Sequence, residues 1–206
     1  MRVRIKVCGL TSEGAIDAAV ENGVDAVGFV FAPSPRRVTP ERAEALAGRL
    51  PSFVLIVAVL ASPTAEEVRE VIDRLNPDRI QVEAASIGGI EAGMRARAIP
   101  VFHDGPAMLR EIASYRESRD DNTILLDGGV SGRGETGDWS VAAQIARTAR
   151  VVLAGGLNPE NVARAIRVVR PYAVDVSSGV ESSPGVKDPS RIAAFVAAVR
   201  AAEVER

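Results

Sequence analysis

The sequence predicts a single (β/α)8 barrel, and three observations support this fold. Short β-rich runs alternate with longer helical patterns along all 206 residues, as in successive β/α units. Most of the short runs are almost continuously apolar, as in Ala-Val-Gly-Phe-Val-Phe (26–31). That composition is typical of parallel strands buried on both faces. Eight units in this length average about 26 residues each, which is sufficient for a small barrel.

The predicted elements follow one another in strict alternation. The eight strands are predicted at Val3–Cys8, Ala26–Phe31, Val54–Leu60, Arg79–Glu83, Pro100–Asp104, Thr123–Asp127, Arg150–Ala154 and Ala173–Ser177. The helices are predicted at Ser12–Asn22, Pro40–Arg49, Thr64–Asn76, Ile87–Arg97, Pro106–Glu117, Asp138–Ala149, Pro159–Val169 and Pro189–Ala202. Three helix starts carry a capping side chain directly before a proline, at Thr39-Pro40, Asn158-Pro159 and Asp188-Pro189.

A doubly wound open sheet is the alternative α/β architecture. It would usually place a Gly-x-Gly-x-x-Gly turn after the first strand, whereas this chain has Cys8-Gly9-Leu10-Thr11. No shift in composition marks a linker. We therefore expect residues 1–206 to form one TIM-barrel domain.

Composition excludes several classes of partner. The formal charge of -2 and a pI near 5.6 create no field that would attract nucleic acid or an anionic membrane. No stretch approaches the roughly 18 continuous apolar residues of a membrane span, and residues 1–6 lack the apolar run of a signal peptide. The single cysteine forms no internal disulfide. We expect a cytoplasmic protein that is a monomer or a homodimer.

In a β/α barrel the reacting groups lie at the carboxyl ends of the strands. Cys8 ends the first strand, and alternation places Lys6 on the same face. A neighbouring ammonium would favour the thiolate and make Cys8 a base or nucleophile at neutral pH. Alternatively, Cys8 is a small buried apolar residue, as most free cysteines are.

Asp127 ends the sixth strand, and a long glycine-rich loop, residues 128–135, follows it. Such a loop can fold over a substrate and exclude water. An aspartate at a strand end can also cap the next helix, but that helix is predicted to begin near Asp138, too far away. We therefore expect a functional role for Asp127.

Two glycine-bearing turns follow the seventh and eighth strands. They contain Gly155-Gly156 and Ser178-Gly179. Glycine lets the backbone approach an anion closely, and barrel enzymes commonly bind phosphate with these two loops. The chain is thus expected to bind a phosphorylated small molecule.

The remaining polar candidates are less well defined by their surroundings. Arg36 follows the second strand and could pair with a substrate carboxylate, or it could be an exposed surface arginine. His103 is the only histidine, and we expect a structural or solvent-facing role for it. One histidine and one cysteine are too few of the usual ligands for a tetrahedral zinc site, so we expect no metal. No Gly-x-Ser-x-Gly elbow supports a serine triad.

Several motifs occur together in a distinctive order. They are Lys-Val-Cys-Gly-Leu-Thr (6–11), Gly-Phe-Val-Phe with Ser-Pro-Arg (28–36), Leu-Leu-Asp (125–127), Gly-Arg-Gly-Glu-Thr-Gly-Asp-Trp (132–139), Ala-Gly-Gly-Leu-Asn-Pro-Glu-Asn-Val (154–162) and Asp-Val-Ser-Ser-Gly-Val-Glu with Pro-Gly-Val-Lys-Asp (175–188). In this combination, which covers nearly the whole chain, the sequence resembles the phosphoribosylanthranilate isomerases of tryptophan biosynthesis.

The resemblance implies a cofactor-free Amadori rearrangement by general acid–base catalysis. Asp127 would be the acid that opens the ribose ring, and Cys8 the base that removes the C2′ proton. These roles require Asp127 protonated and Cys8 ionised, opposite to their ordinary pKa values near 3.9 and 8.5. The resemblance also implies roles for the other candidates. Arg36 would hold the anthranilate carboxylate, and Asp175 and Gln81 would line the pocket. The phosphate would be held by the two glycine turns, at Gly155, Gly156, Ser178 and Gly179.

One segment departs from the family pattern. After the fourth strand the family usually reads Gln-Leu-His-Gly, whereas this chain has Gln81-Val82-Glu83-Ala84. Two alternative functions stay open, and the altered segment motivates the second of them. One is another phosphosugar isomerase or an aldolase, for which Lys6 would be the Schiff-base candidate. The other is a non-catalytic metabolite-binding relative.

Overall fold

The fold was analysed in a computed structural model that describes residues 2–117, 123–128 and 139–204. Eight parallel strands close into a barrel in which each strand pairs with its sequence neighbours and β1 pairs with β8. The strands are β1 Arg4–Cys8, β2 Ala26–Val30, β3 Leu55–Val59, β4 Arg79–Glu83, β5 Ala98–His103, β6 Thr123–Asp127, β7 Arg150–Ala154 and β8 Ala173–Val176. Each predicted strand overlaps one of these, so the predicted (β/α)8 barrel is confirmed.

Helices alternate with the strands around the outside of the barrel. They are α1 Glu13–Glu21, α2 Pro40–Ala47, α3 Ala65–Leu75, α4 Ala92–Arg95, α5 Met108–Glu117, α6 Trp139–Ala146, α7 Val162–Val169 and α8 Pro189–Val204. The continuous helix predicted over Ile87–Arg97 is wrong. A 3-10 turn occupies Ala84–Gly89 and only four helical residues follow it. Gly88, Gly89 and Gly93 weaken helix formation here, because glycine loses the most backbone entropy on ordering.

The helix starts follow the predicted caps with one exception. Thr39 Oγ1 accepts a hydrogen bond from the Arg42 amide at the start of α2, and Asp188 caps α8 by accepting from Ser190 N. Asn158, however, does not begin α7, because its Oδ1 accepts from the amides of Glu160 and Asn161 and closes a turn. The predicted start at Pro159 is therefore wrong, and α7 begins at Val162.

The barrel interior is a layer of small and branched side chains. Val101, Leu125, Val152 and Ala173 occupy consecutive positions of strand register and form this layer with Ala154. Larger apolar side chains, including Phe29 and Phe102, belong to a separate buried cluster that includes residues of the helices. The interior layer forms a floor above which polar side chains at the strand ends can meet.

A hairpin after β8 was not predicted. Strands β9 Glu181–Ser183 and β10 Val186–Lys187 pair antiparallel. Gly185 in the turn has φ +84°, a left-handed conformation that glycine adopts without strain. This hairpin lies at the same end of the barrel as the carboxyl ends of the strands. Within the described ranges, no helix is long and apolar enough to span a membrane.

Candidate active site

The predicted site residues meet at the carboxyl end of the barrel. A cavity of about 180 Å³ is lined by every predicted site residue except Gly179, namely Cys8, Arg36, Gln81, Asp127, Gly155, Gly156, Asp175 and Ser178. Larger cavities lie elsewhere, two of about 880 Å³ beside β5 and α5 and around Tyr172, and one of about 340 Å³ between the loops after β2 and β3. We assign the chemistry to the smaller cavity, because only there do a thiol, carboxyl groups and anion-binding turns converge.

Cys8 and Lys6 point to the same interior face, as the strand alternation predicts. A Cβ on Gly28 would lie 2.9 Å from Cys8 Sγ and 3.2 Å from Lys6 Cε, so this glycine leaves room for both side chains. The thiolate that Lys6 favours stays a prediction, because burial of the thiol opposes it. Burial raises the pKa of Cys8 above its ordinary value, and the Lys6 ammonium offsets that effect only in part.

Lys6 crosses the interior below Cys8 and is held by two partners. Its Nζ donates to Asp175 Oδ2 at 2.7 Å and to Gln81 Oε1 at 3.0 Å. Burial alone would lower the pKa of Lys6, but its interactions with Asp175 and Cys8 together outweigh burial and raise that pKa. A protonated, ion-paired amine is not a nucleophile, which argues against the aldolase alternative.

Asp127 is carried to the cavity by the apolar strand β6. It lies in register between His103 of β5 and Ala154 of β7, and its side chain is partly buried. Both Asp127 and Cys8 line the cavity. Residues 129–138 lie outside the described residues; they contain most of the glycine-rich loop and the predicted start of helix six at Asp138.

The two glycine turns pack directly against each other. Gly155 and Gly156 have φ values of +87° and +67°, and Asn161 Nδ2 donates to the Gly156 carbonyl at 2.9 Å. A Cβ on Gly179 would lie only 1.9 Å from the Leu157 carbonyl oxygen. The close approach brings the loops after β7 and β8 into one continuous backbone surface, suited to binding an anion.

Arg36 reaches the cavity from the loop after β2. Its Nε and Nη2 donate to the two carboxylate oxygens of Glu181 at 2.7 and 2.8 Å. Lys187 Nζ donates to the same carboxylate at 2.6 Å. Burial would raise the pKa of Glu181, but these two cations hold it below its ordinary value.

Sequence analysis missed Glu181 and Lys187 as members of this site. The Pro184-Gly185 pair between them is a turn signal that could have indicated the hairpin. Nothing in the local pattern, however, shows that the hairpin folds back onto the loop after β2. That contact is visible only in three dimensions, where a Cβ on Gly185 would lie 2.5 Å from the Pro35 carbonyl oxygen.

Glu83, the residue that departs from the family pattern, pairs with His103. Glu83 Oε2 lies 2.8 Å from His103 Nε2, and the two side chains are 34% and 54% exposed. His103 is thus solvent-facing, as expected. Neither residue lines the cavity with Cys8 and Asp127, so the altered segment leaves those two groups in place and weakens the case for a non-catalytic relative.

The fold and the cavity together define a (β/α)8-barrel protein with its site at the carboxyl ends of the strands. Among the described residues, no group of three or more His, Cys, Asp or Glu side chains is placed to hold a metal ion. A family model for N-(5'phosphoribosyl)anthranilate (PRA) isomerase matches residues 5–198. The chain belongs to this family of isomerases.

Individual relatives agree with the family match. An N-(5'-phosphoribosyl)anthranilate isomerase of Dechloromonas aromatica is 44% identical, and the match covers 98% of this chain and 99% of the relative. A phosphoribosyl anthranilate isomerase crystallised with reduced 1-(o-carboxyphenylamino)-1-deoxyribulose 5-phosphate is similar with a TM-score of 0.78 and 36% identity, over 97% of this chain and 99% of that one.

A third similar structure is of a monomer generated from the dimeric enzyme of Thermotoga maritima. It has a TM-score of 0.81 and 35% identity, over 97% of this chain and 99% of that chain. The relatives therefore match the whole barrel and not a part of it.

Proposed function

We propose that this chain converts N-(5-phosphoribosyl)anthranilate to 1-(o-carboxyphenylamino)-1-deoxyribulose 5-phosphate, an aldose–ketose isomerisation in tryptophan biosynthesis. The observation that carries the proposal is the content of one cavity. A thiol, Cys8, and a carboxyl group, Asp127, line it together with Arg36 and the glycine turns. These groups fit the three parts of such a substrate, which are a reacting sugar, a phosphate and an aromatic carboxylate.

The reaction begins at the ribose ring. Asp127 in its acid form donates a proton to the ring oxygen, the bond from that oxygen to C1′ breaks, and the anthranilate nitrogen forms a protonated Schiff base with C1′. Cys8 as thiolate then removes the C2′ proton. The electrons of that C–H bond form the C1′–C2′ double bond, and the π electrons of the C=N bond move to the iminium nitrogen and neutralise it. The resulting enolamine tautomerises to the ketone.

The protonation state of Cys8 is the main chemical requirement. Burial raises the pKa of the Cys8 thiol, so the bound substrate must favour the thiolate if Cys8 is to act as the base. Protonated Asp127 with ionised Cys8 carries the same number of protons as ionised Asp127 with the Cys8 thiol. The two states therefore differ only in the position of one proton and have the same net charge. A cationic Schiff base beside Cys8 favours its thiolate, as does Lys6.

Two regions of the cavity would hold the ends of the substrate. The backbone of Gly155, Gly156 and Ser178 offers amides to the phosphate, and Gly179 allows the turns to approach closely. Arg36 would pair with the carboxylate at the other end. Gln81 and Asp175 hold Lys6 below the reacting atoms.

Complementation of a tryptophan auxotroph that lacks this isomerase tests the proposal. The wild-type chain should restore growth, and the purified protein should form the ketose product. Cys8→Ser and Asp127→Asn should each lower kcat by about 10²- to 10⁴-fold, as expected for removal of a general acid or base. A folded wild-type protein that neither complements nor turns over would refute the function. Full activity of Asp127→Asn would refute only the assignment of the acid.

We also propose that the protein is cytoplasmic and is a monomer or a homodimer. The Thermotoga maritima relative is described as dimeric. In this chain the Phe53 side chain is 97% exposed, and an aromatic ring so exposed is the kind of group that a subunit contact buries. Light scattering on the wild type and on Phe53→Ser distinguishes the two states, because the substitution should shift only a homodimer toward monomers.

A further inference from the structure

We propose that Glu181 is a positioning residue for the substrate carboxylate, because it fixes the direction in which Arg36 presents its guanidinium to the cavity. The inference rests on the proposed function, since it concerns the aromatic end of the same substrate. Glu181 is neither the acid nor the base and belongs to neither phosphate turn, and the predicted site does not include it.

The first support is the way in which Glu181 is buried. Its side chain is only 4% exposed, and its carboxylate accepts four hydrogen bonds. Two come from Arg36, one from Lys187 and one from the Gly185 amide at 3.2 Å. A carboxylate with this many donors is held in one orientation, and so is the guanidinium that it binds in a bidentate way.

The second support is the part of Arg36 that Glu181 leaves available. A guanidinium has five N–H donors in a planar fork. Glu181 takes the side formed by Nε and one hydrogen of Nη2, so the end formed by Nη1 and the other hydrogen of Nη2 remains for a second carboxylate. Arg36 is 21% exposed and lines the cavity. The pair with Glu181 therefore orients Arg36 and leaves two of its N–H donors for a substrate carboxylate.

The stem of Arg36 is constrained as well as its head. A Cβ on Gly9 would lie 2.7 Å from Arg36 Cδ, so the aliphatic part of the arginine rests on the backbone that directly follows Cys8. With the stem held there and the head held by Glu181, the guanidinium cannot swing between alternative rotamers. Its distance from Cys8, which acts on C2′, is thereby fixed.

Lys187 connects Glu181 to the phosphate-binding side of the cavity. Its ammonium is fully buried and donates to Glu181, to the Ser177 carbonyl at 3.0 Å and to Ser177 Oγ at 3.3 Å. Ser177 Oγ in turn donates to the Cys8 carbonyl at 3.1 Å. Glu181 thus belongs to one chain of contacts that joins Arg36, the strand end of Cys8 and the turn that precedes Ser178.

The charges also favour a binding role over a purely structural one. Two cations surround one anion, so the cluster keeps a net positive charge next to the cavity. A buried ion cluster is often no more stable than an apolar replacement, so stability alone does not account for it. A net positive charge does account for attraction of a carboxylate substrate.

The test compares two substrates that differ only in the carboxylate, N-(5-phosphoribosyl)anthranilate and N-(5-phosphoribosyl)aniline. The measured quantity is the ratio of their kcat/KM values. We expect Glu181→Gln to lower this ratio by about tenfold relative to wild type, about 1.4 kcal/mol, mainly through KM for the carboxylated substrate. Arg36→Met should bring the ratio close to one. Glu181→Asp keeps the charge but shortens the reach, and should give an intermediate ratio.

Glu203→Gln is the matched control, because Glu203 pairs with Arg200 at 3.2 Å far from the cavity and is partly buried. It should leave the ratio unchanged. An unchanged ratio in folded Glu181→Gln overturns the proposal, and so does an equal loss on both substrates, which would indicate a structural role. If Glu181→Gln does not fold, Glu181→Asp decides by the same ratio. A wild type inert toward both substrates would refute the proposed function instead.

Discussion

Lys6 Nζ lies 2.7 Å from Asp175 Oδ2, and each of these side chains is only 7% exposed. The two residues are register partners on β1 and β8, so the backbone of the barrel closure itself brings them together. Gln81 from β4 reaches the same ammonium from across the interior. This ion pair forms the base of the cavity and sets the electrostatic surroundings of Cys8.

The Lys6–Asp175 ion pair predicts that removing one of its partners destabilises the protein more than removing both. Lys6→Met should lower the free energy of unfolding by roughly 3–5 kcal/mol, because it leaves the Asp175 carboxylate buried without its cation. Lys6→Met combined with Asp175→Leu should recover most of that loss, since both charges are then gone. Urea denaturation measures the difference, provided that the m-values agree.

A surface ion pair serves as the control for this experiment. Arg49 and Asp17 lie 2.7 Å apart but are 41% and 43% exposed. Arg49→Met should shift the urea midpoint very little, because solvent screens exposed pairs. A double variant no more stable than Lys6→Met would contradict the prediction, as it would show that packing and not the charge dominates.

The environment of Cys8 predicts how its thiol titrates. The wild-type pKa should exceed that of an ordinary cysteine, since burial raises it and Lys6 offsets burial only in part. Lys6→Met should raise this pKa further, and Asp175→Asn should lower it, because the Asp175 charge opposes the thiolate. As pH rises, the thiolate should therefore form latest in Lys6→Met and earliest in Asp175→Asn.

Ultraviolet absorbance of the thiolate measures this titration directly, because the chain contains a single cysteine. The rate of alkylation at each pH gives an independent value. A wild-type midpoint below that of free cysteine would contradict the prediction, and it would mean that Lys6 outweighs burial in setting the pKa of Cys8.

Much of the barrel was predictable from sequence because its determinants are local. An apolar run such as 26–31 identifies a buried parallel strand, and the carboxyl-end rule then places Cys8 and Asp127 on the same rim. The helix predicted over Ile87–Arg97 was wrong for a local reason too, because the helix-weakening glycines of this segment outweigh its weak apolar pattern.

The partners within the site were not predictable in the same way. Lys6 and Asp175 are 169 positions apart, and Arg36 meets Glu181 across 145 positions. Neither pairing leaves a periodic signal, because each depends on which strands and loops become neighbours once the barrel closes. The sequence likewise shows a Lys6 that would lower the pKa of Cys8, but not the burial that outweighs it.

The exposure of the Glu83–His103 pair predicts that substitution of either residue leaves activity nearly unchanged. Glu83→Ala and His103→Ala should each keep kcat/KM within roughly threefold of wild type, because pairs at this exposure contribute little and neither residue lines the cavity. Steady-state kinetics measures this, with urea denaturation as the check on folding. A loss of more than tenfold in a stably folded variant would show that the substrate extends to this side of the barrel.

The contact between the two glycine turns makes the sharpest prediction about substrate binding. In Gly179→Ala the new Cβ would lie 1.9 Å from the Leu157 carbonyl oxygen and 2.9 Å from its carbon, so the turns must separate. A displacement of about 1 Å at a substrate-positioning group can lower kcat/KM by on the order of 10²-fold, and KM should account for much of the loss.

Gly14→Ala is the matched control for Gly179→Ala, because the Cβ that it adds in α1 meets no atom within 4 Å apart from its chain neighbours and the backbone of its own helix. That variant should keep wild-type kinetics and gain about 0.5–1 kcal/mol of stability, as alanine is favoured over glycine in a helix. Inhibition by inorganic phosphate separates the causes of a Gly179→Ala defect. The inhibition constant should rise together with KM if the turns bind the phosphate. An unchanged inhibition constant beside a raised KM would place the phosphate elsewhere in the cavity.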